Sequence, residues 1–178
     1  MEFFETVQAR HSIRNFATKR VEPEKLQIIL ETANRAPSAG NLQAYEIYAV
    51  TRRVTLDALA QAASGHAFIA QAPLALVFCA LPARSIAKYG RRGATLYCIQ
   101  DATIACAYAQ LAATALGLAS VWVGAFHEDG VRVATGTDKA QLPVSILPIG
   151  YADEKPAAAS RKSLSSLVHF IAPSCMGV

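Results

Sequence analysis

The run ATIACAYAQLAATALGLASVWVGAF, residues 102–126, carries no charged side chain, and how it is read decides the fold. As a single helix it is long enough to cross a bilayer, which takes about 20 apolar residues. Its composition argues otherwise. Tyr108 and Gln110 interrupt the apolar character, and much of the rest is alanine, a helix former rather than a membrane anchor. Gly117 is a helix-stop residue in mid-run, and Val121-Trp122-Val123 after it has the content of a strand. The run therefore reads as a long helix, from Ala94 or Thr95 to Leu116, followed by a buried strand over Ser120–Gly124. Ala102, Ala105, Ala107, Ala109, Ala112, Ala113 and Ala115 let neighbouring backbones approach closely, which suits a helix buried all round.

With no membrane span, the composition needs another explanation. The 178 residues suit one domain, residues 1–178, but 53% are apolar and only 17% charged. Large exposed apolar patches rarely persist on monomers, so a second subunit is expected to bury the excess. The formal charge of +4 comes from scattered residues. The pairs Arg52-Arg53 and Arg91-Arg92 read as solvated surface, not as a nucleic-acid contact. Met1–Glu5 lacks the basic start and apolar run of a signal peptide. Cys79, Cys98, Cys106 and Cys175 show no CxxC and no ligand-like spacing with histidine, so neither disulfides nor a metal is expected. A cytoplasmic setting is.

Working outward, Phe3, Phe4 and Val7 give residues 2–9 one helical face, and Leu26, Ile29, Leu30 and Ala33 give another after Pro23. That second helix must end before Pro37, where Ala36–Asn41 is a loop of small residues. Strands are expected over Glu46–Thr51, Leu74–Leu81 and Val144–Ile149, with a helix over Val54–Ala63. Pro82–Gly93 is polar and basic and reads as a mobile loop. Strands and helices without regular alternation indicate an α+β fold.

No GxGxxG follows a strand and no GxxxxGK[ST] occurs, so phosphate binding would have to come from side chains. Arg10, Ser12 and Arg14 alternate, and an extended segment projects them to one side. Two guanidiniums flanking a hydroxyl can serve a phosphate and an electron-rich carbonyl; a solvated basic loop fits the same residues. Asn41 and Gln43, beside Pro37, Ser38 and Ala39, could hydrogen-bond a flat ring lying on the backbone. The same stretch fits an ordinary turn. Val123-Gly124-Ala125-Phe126 ends a strand with little side chain, leaving backbone N–H groups for a ligand or simply leaving the sheet. Ser160-Arg161-Lys162 could reach a phosphate or stay on the surface. His11, His66, His127 and His169 have no serine or cysteine partner, and no carboxylates pair. No catalytic side chain is assigned, which points to a cofactor carrying the chemistry.

Taken in order, these segments resemble the nitroreductase family of FMN enzymes. Arg10-His11-Ser12-Ile13-Arg14-Asn15-Phe16 looks like its R-x-S-x-R-x-F pattern, and Ala36–Gln43 like its A-P-S-x-x-N-x-Q segment. Tyr97–Gly117 with Trp122–Phe126 resembles its central helix and following strand. Pro148-Ile149-Gly150-Tyr151 with Arg161 resembles its closing P-x-G-Y and terminal arginine. The resemblance implies an α+β, nitroreductase-like fold with a mostly antiparallel sheet flanked by helices, in a domain-swapped homodimer with FMN at the subunit interface.

It further implies that Arg10, Ser12 and Arg161 meet the FMN phosphate and ribityl chain, with His11 close by, and that Arg14 lies near the N1/O2 edge. Pro37, Ser38 and Ala39 would lie beside the ring, with Asn41 and Gln43 hydrogen-bonding nearby from the other subunit. Backbone groups of Val123, Gly124 and Ala125 would meet the N5/O4 edge, and Tyr89, Tyr97 and Phe126 are candidates to stack on substrate. The implied reaction is ping-pong hydride transfer from NAD(P)H through FMN to a nitroaromatic, quinone or similar small acceptor. Reductive dehalogenation or flavin breakdown on the same scaffold, or FMN binding without turnover, are the alternatives. The chain is shorter than the larger family members, so Pro82–Gly93 is the expected lid. Gly124-Ala125 replaces the Gly-Gly of some members.

Overall fold

Every residue of the apolar run Leu74–Ala80 is buried in the computed structural model, which describes residues 1–156 and 159–171. This run is strand β2, and its alternating side chains face two different cores. Leu74, Leu76, Phe78 and Ala80 enter one; Ala75, Val77 and Cys79 enter the other. β2 pairs antiparallel with Tyr45–Val50 (β1) on one side and Leu142–Gly150 (β4) on the other. Ala119–Ser120 (β3) pairs antiparallel with β4, giving the order β1-β2-β4-β3.

Helices cover both faces. Pro23–Asn34 (α2) and Cys98–Ala115 (α6) line the first core; Arg53–Ala62 (α3), Ala67–Gln71 (α4) and Glu128–Thr135 (α7) line the second. Phe3–Ala9 (α1) packs on α6. Gly117, at φ +74°, ends α6 as its position in the sequence predicts. α6 is not buried all round: Tyr108 and Ala115 are exposed and Leu111 half-buried, and their helical spacing makes them one stripe. No helix among the described residues is long and apolar enough to cross a membrane.

Three expectations need correction. Pro82–Arg92 is a helix, α5, not a loop. Pro82 occupies its first turn and alanine, arginine and lysine favour the helix, so the charges mark a solvated face. Gly90, at φ 57° and ψ −148°, breaks it near its end, and a π-helical turn over Gly93–Tyr97 leads into α6. The strand expected over Ser120–Gly124 is reduced to Ala119–Ser120 plus one bridge from Val123 to Ile146. The short helices α4 and α7 were not expected at all.

Tyr151, the last residue of the P-x-G-Y stretch, is a structural tie. Its hydroxyl lies 2.7 and 2.8 Å from the Glu22 carboxylate oxygens and accepts from Lys25 Nζ at 2.8 Å, joining the sheet to the start of α2. The tyrosine hydrogen bond holds the Glu22 carboxyl down to about 2. Cys79 and Cys106 are inert hydrophobes, their thiols pushed up to about 12 by burial. Cys175 lies outside the described residues. No group of residues among those described could hold a metal ion.

Candidate active site

The chain leaves α1 at Arg10 in an extended conformation. Ile13 N–H donates to Ser120 O at 3.1 Å, and the Ile13 side chain is buried, so Ser12 and Arg14 face outward on either side of it. Arg10 and His11 are half-buried. Beyond Arg14 the segment is stitched to the end of β4: Arg14 N–H donates to Glu154 Oε1 at 2.6 Å and Ala17 N–H to Tyr151 O at 2.9 Å. The alternation read from the sequence survives for Ser12 and Arg14.

Arg14 opens onto a cavity of about 190 Å³ shared with Val123, Gly124, Ala125, His66 and Phe68. Val123 is buried and exchanges backbone hydrogen bonds with Ile146 at 2.9 Å, so its side chain belongs to the core. After it the ladder ends. Gly124 and Ala125 are exposed, and their N–H groups have no hydrogen-bond partner among the described residues. A Cβ on Gly124 would meet nothing nearer than Trp122 Nε1 at 3.5 Å, so a flat ring could approach the backbone there. His66 and Phe68 stack with centroids 5.1 Å apart; His66 entered the sequence reading only as a histidine without a nucleophile partner, and Phe68 not at all. The pair Ser64-Gly65 before them, both at positive φ, was the available signal.

A second half-site lies elsewhere on the chain. Pro37 and Asn41 line a cavity of about 540 Å³ with Glu31, Asn34, Arg35 and Ala36, and it shares no residue with the first. Between Ala39 and Ala44 the backbone is unusual: Gly40, Asn41 and Gln43 have φ of 56°, 57° and 44°. Asn41 and Gln43 do not project independently, because Gln43 Nε2 donates to Asn41 Oδ1 at 2.7 Å. Ser38 Oγ is engaged as well, accepting from Gln43 N–H at 3.0 Å. The whole loop hangs on Asp101 of α6. Its carboxyl group accepts Ala39 N–H at 2.9 Å on Oδ1 and Ala44 N–H at 3.3 Å on Oδ2, and the residue is 2% exposed. The sequence held a clue to this, since Asp101 is the only charged residue in α6 and acids are rarely buried unpaired.

α5 closes over this loop. Tyr89 packs edge-on against Tyr97 at 5.2 Å, and Arg92 Nε donates to Tyr97 Oη at 3.1 Å. A Cβ on Gly40 would run into the tips of the Tyr89 and Lys88 side chains of α5, which would have to shift, and its positive φ also favours glycine. Tyr89 and Tyr97 are thus brought together, while Phe126 is not. It packs against the second core near the other half-site. Arg161 also stands apart from Arg10 and Ser12, hydrogen-bonding only the neighbouring carbonyls of Ala159 and Ser160 on an exposed tail.

Residues 7–151 match the Nitroreductase family. The chain belongs to the nitroreductase family. A solved nitroreductase family protein of Clostridium difficile is 31% identical with a TM-score of 0.86, over 97% of this chain and all of the other. NfrA2 of B. megaterium, another solved structure, superposes with a TM-score of 0.88 at 28% identity, over 99% of this chain and 77% of the other. The chain is also 27% identical over 179 residues to an NADPH-flavin oxidoreductase of Vibrio harveyi, covering 93% and 72% of the two. The α+β nitroreductase fold read from the sequence is the one observed.

Proposed function

We propose that this chain, an FMN-dependent NAD(P)H oxidoreductase of the nitroreductase family, reduces a nitroaromatic, quinone or similar small acceptor by a ping-pong reaction. The observation that carries the reading is the cavity uniting Arg14 with the unpartnered N–H groups of Gly124 and Ala125. Bound FMN supplies the ring that takes a hydride from NAD(P)H and yields it to the acceptor. The chain supplies binding and electrostatics. Arg10, His11 and Ser12 hold the phosphate and ribityl end, and the Arg14 guanidinium favours negative charge at the pyrimidine edge. Gly124 and Ala125 offer backbone N–H groups to the opposite edge, while Val123, whose own N–H and C=O are taken by Ile146, anchors them to the sheet.

The Pro37–Gln43 half-site completes the pocket from a second copy of the chain. Support comes from the exposed apolar residues Phe3, Phe4, Val7, Ile28 and Tyr108, which cluster around α1, α2 and the outward stripe of α6. The tail adds Phe170 and Ile171, 92% and 93% exposed, and carries Arg161 away from its own phosphate residues. A homodimer in which tails are exchanged buries both and brings Arg161 to the partner's site.

Purified protein should be yellow, bleach anaerobically with NADH or NADPH, and recover colour when a nitroaromatic or quinone is added. Bound flavin that neither nucleotide bleaches would reduce the protein to an FMN carrier. Colourless protein that cannot be reconstituted with FMN would overturn the reading.

A further inference from the structure

α5 carries Arg84, Lys88, Arg91 and Arg92 within eleven residues and no acid. Only Arg84 has an ion-pair partner among the described residues, Glu46 at 3.8 Å. The other three cations are exposed. Lys88 Nζ lies against Gly40 and 5.5 Å from the centroid of the Tyr89 ring, so its charge sits over the Gly40 turn of the Pro37–Gln43 half-site. Past the break at Gly90, Arg91 and Arg92 begin the turn that carries Tyr97 against Tyr89. Aromatic edges and unmatched positive charge therefore share one wall. Self-repulsion makes such a cluster unfavourable, and a bound anion relieves it while the local field speeds its arrival.

We infer that α5 selects ligands bearing an anionic group, a phosphate monoester or a carboxylate, beside the ring that enters the site. The inference rests on the flavin reading above. Two ligands could bring that group: NADPH, whose 2′-phosphate distinguishes it from NADH, or a carboxylated acceptor. Guanidinium and ammonium groups recognise both anions, and the unpaired arginines favour them over neutral analogues.

The test compares kcat/KM for NADPH against NADH, and for 4-nitrobenzoate against 4-nitrotoluene, in the native protein and in Lys88→Gln/Arg91→Gln. At least one of the two ratios, of the ligand carrying the extra anionic group to the one lacking it, should fall roughly tenfold in the variant, and rising salt should compress the native ratio in the same direction. A fall in the dinucleotide ratio assigns the 2′-phosphate; a fall in the acceptor ratio assigns the carboxylate. Both ratios unchanged would overturn the inference. Should the double variant fold poorly, Arg91→Gln alone serves, since no side-chain hydrogen bond of Arg91 is lost among the described residues. FMN content is measured on each preparation. Native protein that takes up no FMN overturns the flavin reading and this inference with it, whereas flavin-loaded protein with unchanged ratios overturns this inference alone.

Discussion

Asp101→Asn should lower the thermal unfolding midpoint by roughly 5–10 °C and weaken FMN binding in the same protein. The carboxyl group is buried and accepts one backbone N–H on each oxygen. Asparagine offers one acceptor, and its amide NH₂ would face the second N–H. One buried donor then loses its partner, at a cost of about 2–3 kcal/mol. Asp101 also restrains a loop in which Gly40, Asn41 and Gln43 sit at positive φ, and for asparagine and glutamine that conformation costs on the order of 1 kcal/mol each. Freed at one end, the loop should relax away from the shape proposed to meet the flavin. Differential scanning fluorimetry and an FMN fluorescence titration read the two effects. An unchanged midpoint would refute the tether. A lower midpoint with native FMN affinity would refute its part in the site.

Arg10→Ala should behave in the opposite way, with the midpoint almost unmoved and FMN affinity reduced roughly 10- to 100-fold, the loss of one charge-assisted phosphate contact. Arg10 is half-buried at the end of α1 and makes no side-chain hydrogen bond among the described residues, so little of the fold depends on it. Arg10→Lys should recover part of the affinity, because charge remains while the planar pair of donors is lost. Full FMN occupancy and native affinity in the alanine variant would show that the phosphate lies elsewhere.

The elements readable in the sequence were those with one dominant signal. β2 is a continuous apolar run between proline and proline, and α6 ends at a glycine whose backbone only turns that way easily. α5 was misread because charge and glycine stood in for loop character, although Ala83, Arg84, Ala87 and Lys88 within it are good helix formers. α7 has one buried residue, Val131, too little for a period to emerge, and α4 is five residues long. In the candidate site, the placement of Arg14 and Gly124 on one cavity was legible because it depends on local backbone. The roles of Asn41 and Gln43 were less so, since their side chains satisfy each other. What Asp101 binds was out of reach for a different reason. Its partners Ala39 and Ala44 lie 62 and 57 residues away, and only packing brings them together.

The separation of the two half-sites on one chain has a genetic consequence. If the pocket is shared between two copies as proposed, a variant damaged at Arg10 and another damaged at Asp101 would each form homodimers with both pockets impaired. In the proposed homodimer, a mixed dimer would concentrate both lesions in one pocket and leave the other whole. Two inactive alleles should therefore complement, with co-refolded equal mixtures recovering up to about a quarter of native turnover, since half the dimers are mixed and each has one sound pocket.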